Sequence, residues 1–545
     1  MDSGRRFRRE KEDCGKEVFE VNRLKKAWAV ALAALIVCAG FTACSNGKAA
    51  SGATSASTKT KAQDTLVFAA GAEPRGLDPA LVDDGESTKV ISNVYEGLLK
   101  YAKDSTDVEP CLAESWEISK DGLTYTFHLR KGVKFQDGTD FNAEAVKFNI
   151  DRQLSPNKTD DMPYADFVFG AVKSVEVVDA NTVKVNMKTA STPFLKNLAM
   201  SLGAPMVSPT AAKKYNNNLN EHPVGTGPYT FVSWTKGQNV VMKRNDNYWG
   251  EKAKTKNVVL RFIADNSARV VALNNGEVDM IDGIDATVVS QIKSAGNKIY
   301  EAPGLNVNYM AYNTTKKPFD DPKIRKAVSQ AVNVPELVAS LYQGYSEPAT
   351  SVLPTFMEGY DKNVKQVSYD AAASKAALAA AGVTKLHIIT YSNPRPYNPI
   401  NGQALAEAVQ GYLTKVGVTA TIDAYDWTTY KAKLKAGDYD VCFYGWTGDN
   451  GDPDNFMMLM SSDDPIMNVA RYSNQEYKNL IAKGAVTPSG TERSKIYSQL
   501  ETLAAQNAVW LPISHGKSLS AYRSNVKDFY FHMTGSVFFS GVSKS

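Results

Sequence analysis

The stretch that most constrains this chain is residues 441–456. An apolar run, Val441-Cys442-Phe443-Tyr444, leads straight into a cluster of Gly, Asp, Asn and Pro that holds Asp449, Asp452 and Asp454. An apolar run bounded by turn formers reads as a buried strand ending in a tight turn, with carboxylates presented at the strand end. In open α/β sheets, ligands gather at such strand ends. The same pattern continues upstream. From residue 404 the order is helix (Leu405, Val409, Tyr412, Leu413 and Val416 on one face, Gly417 closing it), strand (418–425), helix (428–436), strand (from Val441). That order is α/β organisation.

The earlier half is richer in hairpins. Asp121-Gly122 and Asp179-Ala180-Asn181 each separate two alternating runs, in 112–138 and 172–188, a pattern that predicts antiparallel pairs. Residues 142–152 read as an amphipathic helix. Residues 269–283 read as a helix ended by Asn-Gly and then a short strand. Asp321-Pro322 starts another helix, the Asp capping and the Pro at the first helical position. A chain of 545 residues is too long for one core and is expected to form two or three domains.

The N-terminus reads as a targeting segment. Arg23, Lys25 and Lys26 precede an apolar run from Ala27 to Phe41, followed by Thr42-Ala43-Cys44-Ser45. The run is shorter than the ~20 residues of a spanning helix, and the whole pattern is that of a secretory signal. Cys44 after Phe-Thr-Ala resembles a bacterial lipobox, whose cysteine receives diacylglycerol and becomes the mature N-terminus. Phe41 stands where Leu is usual, and the alternative is an ordinary signal with an incidental cysteine. Residues 1–20 precede the basic region, and their Arg5-Arg6 pair lies too far from the apolar run for a twin-arginine signal. They read as an over-extended start, with translation beginning near Val21 or later. Residues 45–63 are rich in Ser, Thr, Ala, Gly and Lys without an aromatic, the composition of a flexible tether. Beyond Cys44 only Cys111 and Cys442 remain. Cys442 reads as a core residue, and a Cys111–Cys442 bridge is open to an exported chain. The formal net charge of +4, with no basic stripe, argues against nucleic acid as a partner.

The segments YEGLLKY, LAESWEISKDGLTYTFHLRKGVKFQDG, VGTGPYTFVSW, NYWG, ALNNGEVDMI and residues 304–333 resemble peptide/nickel-type (family 5) extracellular solute-binding proteins of ABC importers. RPYNP (395–399) and GWTGDNGDPDNF (445–456) are similar to the dipeptide-binding branch. The resemblance implies a class II, cluster C periplasmic-binding-protein clamp. Lobe one would comprise 64–302 plus 516–545, with an extra β-rich subdomain at about 90–220. Lobe two would comprise 303–515, after a signal peptide (1–43) and a lipidated, tethered segment (44–63). It also implies a monomer, held outside the membrane by lipid on Cys44, that captures a dipeptide or short peptide and delivers it to permease subunits.

A free dipeptide is a zwitterion whose charged ends lie roughly 6–7 Å apart. A receptor that encloses it must neutralise both ends, since an unpaired buried charge is costly. The resemblance assigns Asp449 to the ammonium and Arg395 to the carboxylate, a group that a guanidinium holds by two parallel hydrogen bonds. Pro394 and Pro396 restrict the backbone around Arg395. Trp446 and Tyr397 are candidate apolar walls, and Thr447 and Gly448 candidate neighbours of the ligand's peptide bond. Without the resemblance, an Arg between prolines is ordinarily a solvated loop residue, and an Asp in such a turn is there for geometry. Trp446 also reads as a core aromatic, and Asp452 and Asp454 as shapers of the loop. After Phe456 the sequence departs from the dipeptide receptors, so side-chain preference does not carry over.

Enzymatic signatures are missing. There is no G-x-S-x-G, and Leu511 stands where a phosphate loop ending at Gly516-Lys517-Ser518 needs its first glycine. The five histidines are scattered, and Met460 occupies the bidentate Glu position of a would-be calcium loop at Asp449. The expected site therefore holds no metal or cofactor and no catalytic residue. Alternative ligands in the same receptor class are an oligopeptide, glutathione, haem, a nickel chelate or a sugar.

Overall fold

The computed structural model describes residues 64–545. The expected signal segment, Cys44 and the tether lie outside the described residues. The organising element is one long strand, Trp510–Tyr522. Its first part pairs antiparallel with Asn306–Tyr312, its second with Lys298–Pro303 and Met280–Asp282. A 12-stranded sheet runs through both halves of the molecule as a result. Beyond Asn306–Tyr312 come Val441–Thr447 and then the parallel pair Lys385–Tyr391 and Thr419–Tyr425. Beyond Met280–Asp282 come Thr65–Ala70 and Asn257–Phe262, both parallel, then the antiparallel Asn239–Arg244 and Tyr229–Thr235.

The apolar cores divide the chain into two lobes. One core is drawn from residues 305–513 together with Met533. Another joins residues 66–280 to the C-terminal Val526, Phe539 and Val542. Within lobe one, a β-rich subdomain has its own core between Leu98 and Met206. Its sheet is four-stranded and antiparallel, with the two hairpins expected at Gly122 and at 179–181.

Local chemistry explains the elements. Asn142 accepts from the Ala145 amide and starts the helix Ala143–Asp151, and Asp321 accepts from Lys323 and starts Pro322–Gln330. Helix Gly402–Lys415 buries Leu405, Val409 and Leu413, as its 3.6-residue pattern requires. The first five residues of strand Val441–Thr447 are all buried, which accounts for their uninterrupted apolar character. Cys442 lies in that core, and Cys111 is buried in lobe one beside Glu96. Both are free thiols, so the bridge left open by the sequence is not formed.

The chain crosses between lobes near 303–306 and again near 514–517. There the two strands approach so closely that a side-chain carbon at Gly304 would fall 1.9 Å from the Gly516 carbonyl oxygen. The Asn306 amide clasps Gly516 from both directions, donating to its oxygen (3.0 Å) and accepting from its N–H (2.8 Å). Gly516-Lys517-Ser518 lies inside the long strand, a geometry that cannot cradle phosphate. Among the described residues no helix is long and apolar enough to cross a membrane.

Candidate ligand-binding site

Strand Val441–Thr447 ends at the junction of the lobes, and its turn carries Asp449 there. The Asp449 amide donates to Asn455 Oδ1 (3.0 Å), and Asn455 Nδ2 donates back to Asp449 Oδ2 (3.0 Å). The other carboxylate oxygen accepts from the Tyr164 hydroxyl at 2.9 Å, across from lobe one. Trp446 Nε1 also donates to Asn455 Oδ1 (2.9 Å), so one asparagine ties the strand end to Asp449. Burial pushes the Asp449 carboxyl above its ordinary range, and the Asn455 and Tyr164 hydrogen bonds pull it partly back. Among the described residues no cation lies within ion-pair distance of it. An enclosed carboxylate served only by neutral donors is poised to accept a cation.

Arg395 is the complementary case. It sits in a tight turn in which its N–H and C=O both pair with Asn398, each at 2.9 Å. Asn398, fully buried, is fixed in turn by the Tyr342 hydroxyl, which donates to its Oδ1, and by its own Nδ2, which donates to Tyr391 Oη, both at 3.0 Å. The guanidinium stacks on Trp427, 3.8 Å from the ring centre. Its Nε is buried without an acceptor, and among the described residues no carboxylate pairs with the group.

Arg395 and Thr447 line a cavity of about 520 Å³ between the lobes. Lobe one contributes Glu86, Lys89 and Asp282 to its wall. Lys89 Nζ pairs with both acids, and Ile284, Leu519 and Phe531 add apolar surface to the same lining.

The remaining candidates have other duties. Tyr397 is buried, with its ring against Gly445, where a side-chain carbon would meet it at 2.2 Å. Gly448 donates its N–H to Leu305 (2.7 Å) and packs under Phe456. Trp446 is half-buried against the lobe-two core. Neither these three nor Asp449 belongs to the cavity lining. Asp452, buried at the far side of the turn, makes a two-point bridge to Arg493 (2.9 and 2.7 Å). Arg493 also binds Glu358 at 2.9 Å. The sequence offered no sign of Tyr164, Trp427 or Arg493, because each meets the site only through tertiary contact. Among the described residues no group of three or more metal-ligating side chains is gathered.

Comparison with known proteins agrees with this architecture. The family model of bacterial extracellular solute-binding proteins, family 5 Middle, matches residues 107–468. Heme-binding protein A of Haemophilus influenzae is 33% identical, covering 96% of this chain and 99% of its own length. The dipeptide-binding protein of Escherichia coli is 33% identical, covering 88% of this chain and 94% of its own. A periplasmic binding protein of Helicobacter pylori, solved with the peptide STSA, superimposes with a TM-score of 0.74 at 31% identity, covering 89% of this chain and 99% of its own. The chain belongs to the family 5 extracellular solute-binding proteins. It is a binding protein and not an enzyme.

Proposed function

We propose that this protein is the extracytoplasmic receptor of an ABC importer, and that its ligand is a dipeptide or short peptide held by both ionised ends. The observation that carries this reading is the pair of unpartnered charges, the enclosed Asp449 carboxylate and the Arg395 guanidinium. A zwitterionic ligand satisfies both at once, whereas a sugar satisfies neither. Asp449 would take the ammonium and Arg395 the carboxylate, with Thr447 beside the peptide bond and the Tyr397 and Trp446 rings backing the two anchors. The lobes, dividing near 302/303 and 515/516, would close over the peptide by a hinge motion. The closed form would then present it to permease subunits. Cys44 would hold the monomer at the membrane by lipid; Cys44→Ser is expected to release it into the soluble fraction, and a wild type already soluble would count against an anchor.

Calorimetric titration with Ala-Ala, N-acetyl-Ala-Ala and Ala-Ala amide tests the ligand. Ala-Ala is expected to bind tightly. Each blocked analogue is expected to bind about 100-fold more weakly, since it leaves one buried charge unpaired, a cost of about 3 kcal/mol. Equal affinity for the blocked forms, or no heat with Ala-Ala, overturns the reading. A second reading is haem, favoured by the near full-length similarity to a heme-binding protein; haemin displacing Ala-Ala from the cleft would support it.

A further inference from the structure

Three consecutive residues of lobe two are gripped by five side chains of the β-rich subdomain. Tyr164 donates to Asp449 (2.9 Å). Asn450 Nδ2 donates to Asn197 Oδ1 (2.6 Å), and the Tyr101 hydroxyl donates to the Asn450 carbonyl (3.2 Å). Lys196 Nζ and Thr106 Oγ1 both donate to the Gly451 carbonyl, at 2.9 and 3.3 Å. The seam is closed to the surface: Asn450, Asn197 and Thr106 are buried. It also fixes Gly451, whose φ of +67° favours glycine and whose added side-chain carbon would fall 2.3 Å from Thr106. A second grip lies nearby. The Thr192 N–H and hydroxyl donate to the carbonyls of Ala485 (2.9 Å) and Thr487 (2.7 Å). Neither Lys196 nor Asn197 lines the cleft cavity.

The grip falls on the turn that carries the anionic anchor. Asp449 cannot swing away from lobe one without breaking the bonds made by Asn450 and Gly451, because the three residues are contiguous. We infer that the β-rich subdomain is the jaw that sets how long ligand is retained, with Lys196 and Asn197 as positioning residues acting on Asp449 through residues 450 and 451. The inference rests on the reading that Asp449 holds the ligand's ammonium. Ligand enters the open form, in which these bonds are not made, and leaves only after they break. Their loss therefore falls on release and spares association.

The test is stopped-flow tryptophan fluorescence with Ala-Ala on wild type, Lys196→Met, Asn197→Ala and the conservative Lys196→Arg. Release is expected to be about tenfold faster in the first two variants, the order of one net hydrogen bond. Association rates and the unliganded melting temperature are expected to stay close to wild type, and Lys196→Arg to restore slow release. Release at the wild-type rate in both disruptive variants overturns the inference, as does a loss confined to association or to melting temperature. A second arm does not depend on the ligand. Asn197→Cys with Asn450→Cys is treated with a short bis-methanethiosulfonate cross-linker, each cysteine displacing one methanesulfinate, in a mixture of tryptic peptides, the native Cys111 and Cys442 being buried. Mass spectrometry should find residues 197 and 450 joined. No join overturns the jaw even if Ala-Ala binds; a join with no Ala-Ala binding upholds the contact between the lobes and overturns the dipeptide reading on which the retention role rests.

Discussion

At the scale of the residue, Asp449 is a carboxyl group whose burial works against folding stability. Burial raises its carboxyl above the ordinary range, so the folded protein holds that proton more tightly than the unfolded chain does. Ionising it at neutral pH therefore costs folding free energy. Asp449→Asn is expected to raise the melting temperature of the unliganded protein at pH 7 while abolishing peptide binding; a lowered melting temperature with intact binding would refute this. Under the proposed function, the same group makes binding proton-linked. An ammonium pairs only with the carboxylate, so Ala-Ala affinity is expected to fall as pH drops through the raised range of Asp449, above that of an ordinary aspartate. A pH-independent affinity between pH 4 and 7 would disprove the link. The family resemblance named both charges as candidates; the local sequence alone reads Arg395 as a loop residue and Asp449 as a turn former. It did not show that Trp427 carries the guanidinium or that Tyr164 meets Asp449, since those partners lie far off along the chain.

At the scale of the element, the 448–454 turn is held from behind by a buried ionic frame. Arg493, on helix Thr491–Gln506, is fully buried and bonds Asp452, Glu358 and the Gly484 carbonyl. Removing one partner from such a pair leaves the other charge enclosed. Arg493→Met is thus expected to cost about 3–5 kcal/mol of unfolding free energy, measured by urea titration; a change under about 1 kcal/mol would show the frame to be idle. The same helix carries Glu501, which burial lifts to about 7 against the partial relief of the Ser351 hydroxyl and Asp361 amide. Asp454 is lifted to about 6 by burial and by Asp452. For both, the folded state binds the proton more tightly. Stability is then expected to decline as pH rises from near the ordinary carboxyl range to about 7, and to level off above it. Glu501→Gln should flatten part of that decline in a melting series from pH 4.5 to 8, and an unaltered slope would contradict the assignment. The helices, hairpins and the strand at 441 were legible because caps, Asn-Gly and Asp-Gly turns and apolar period are written locally. The Arg493 frame was not, because a single Arg on an amphipathic helix looks the same whether it faces solvent or a carboxylate.

At the scale of the whole molecule, the two lobes share one strand and one pinch point. The Gly304–Gly516 approach leaves no room for a side chain, so Gly304→Ala is expected to push the crossing strands apart and disturb closure. Small-angle scattering should then show a smaller contraction on adding Ala-Ala than wild type shows; an equal contraction would mean the crossing tolerates the extra carbon. The lobe division was read from family resemblance, and periodicity alone does not reveal it. What periodicity cannot supply is that residues 510–522 serve both halves, since the pairing partners are as far away as residue 280.

That shared strand carries a consequence for biogenesis. The N-terminal half is completed by residues far along the sequence: Phe539 and Val542 fill its core, and Lys544 reaches the Thr65 carbonyl (2.8 Å) and Asp279 (3.0 Å). The N-terminal half cannot finish folding until residues 539–544 have been made, because contacts of such long sequence separation form late. A chain kept loose through most of its synthesis stays threadable for that long, and its fold becomes self-consistent only once residues 64–70 and 539–544 have met.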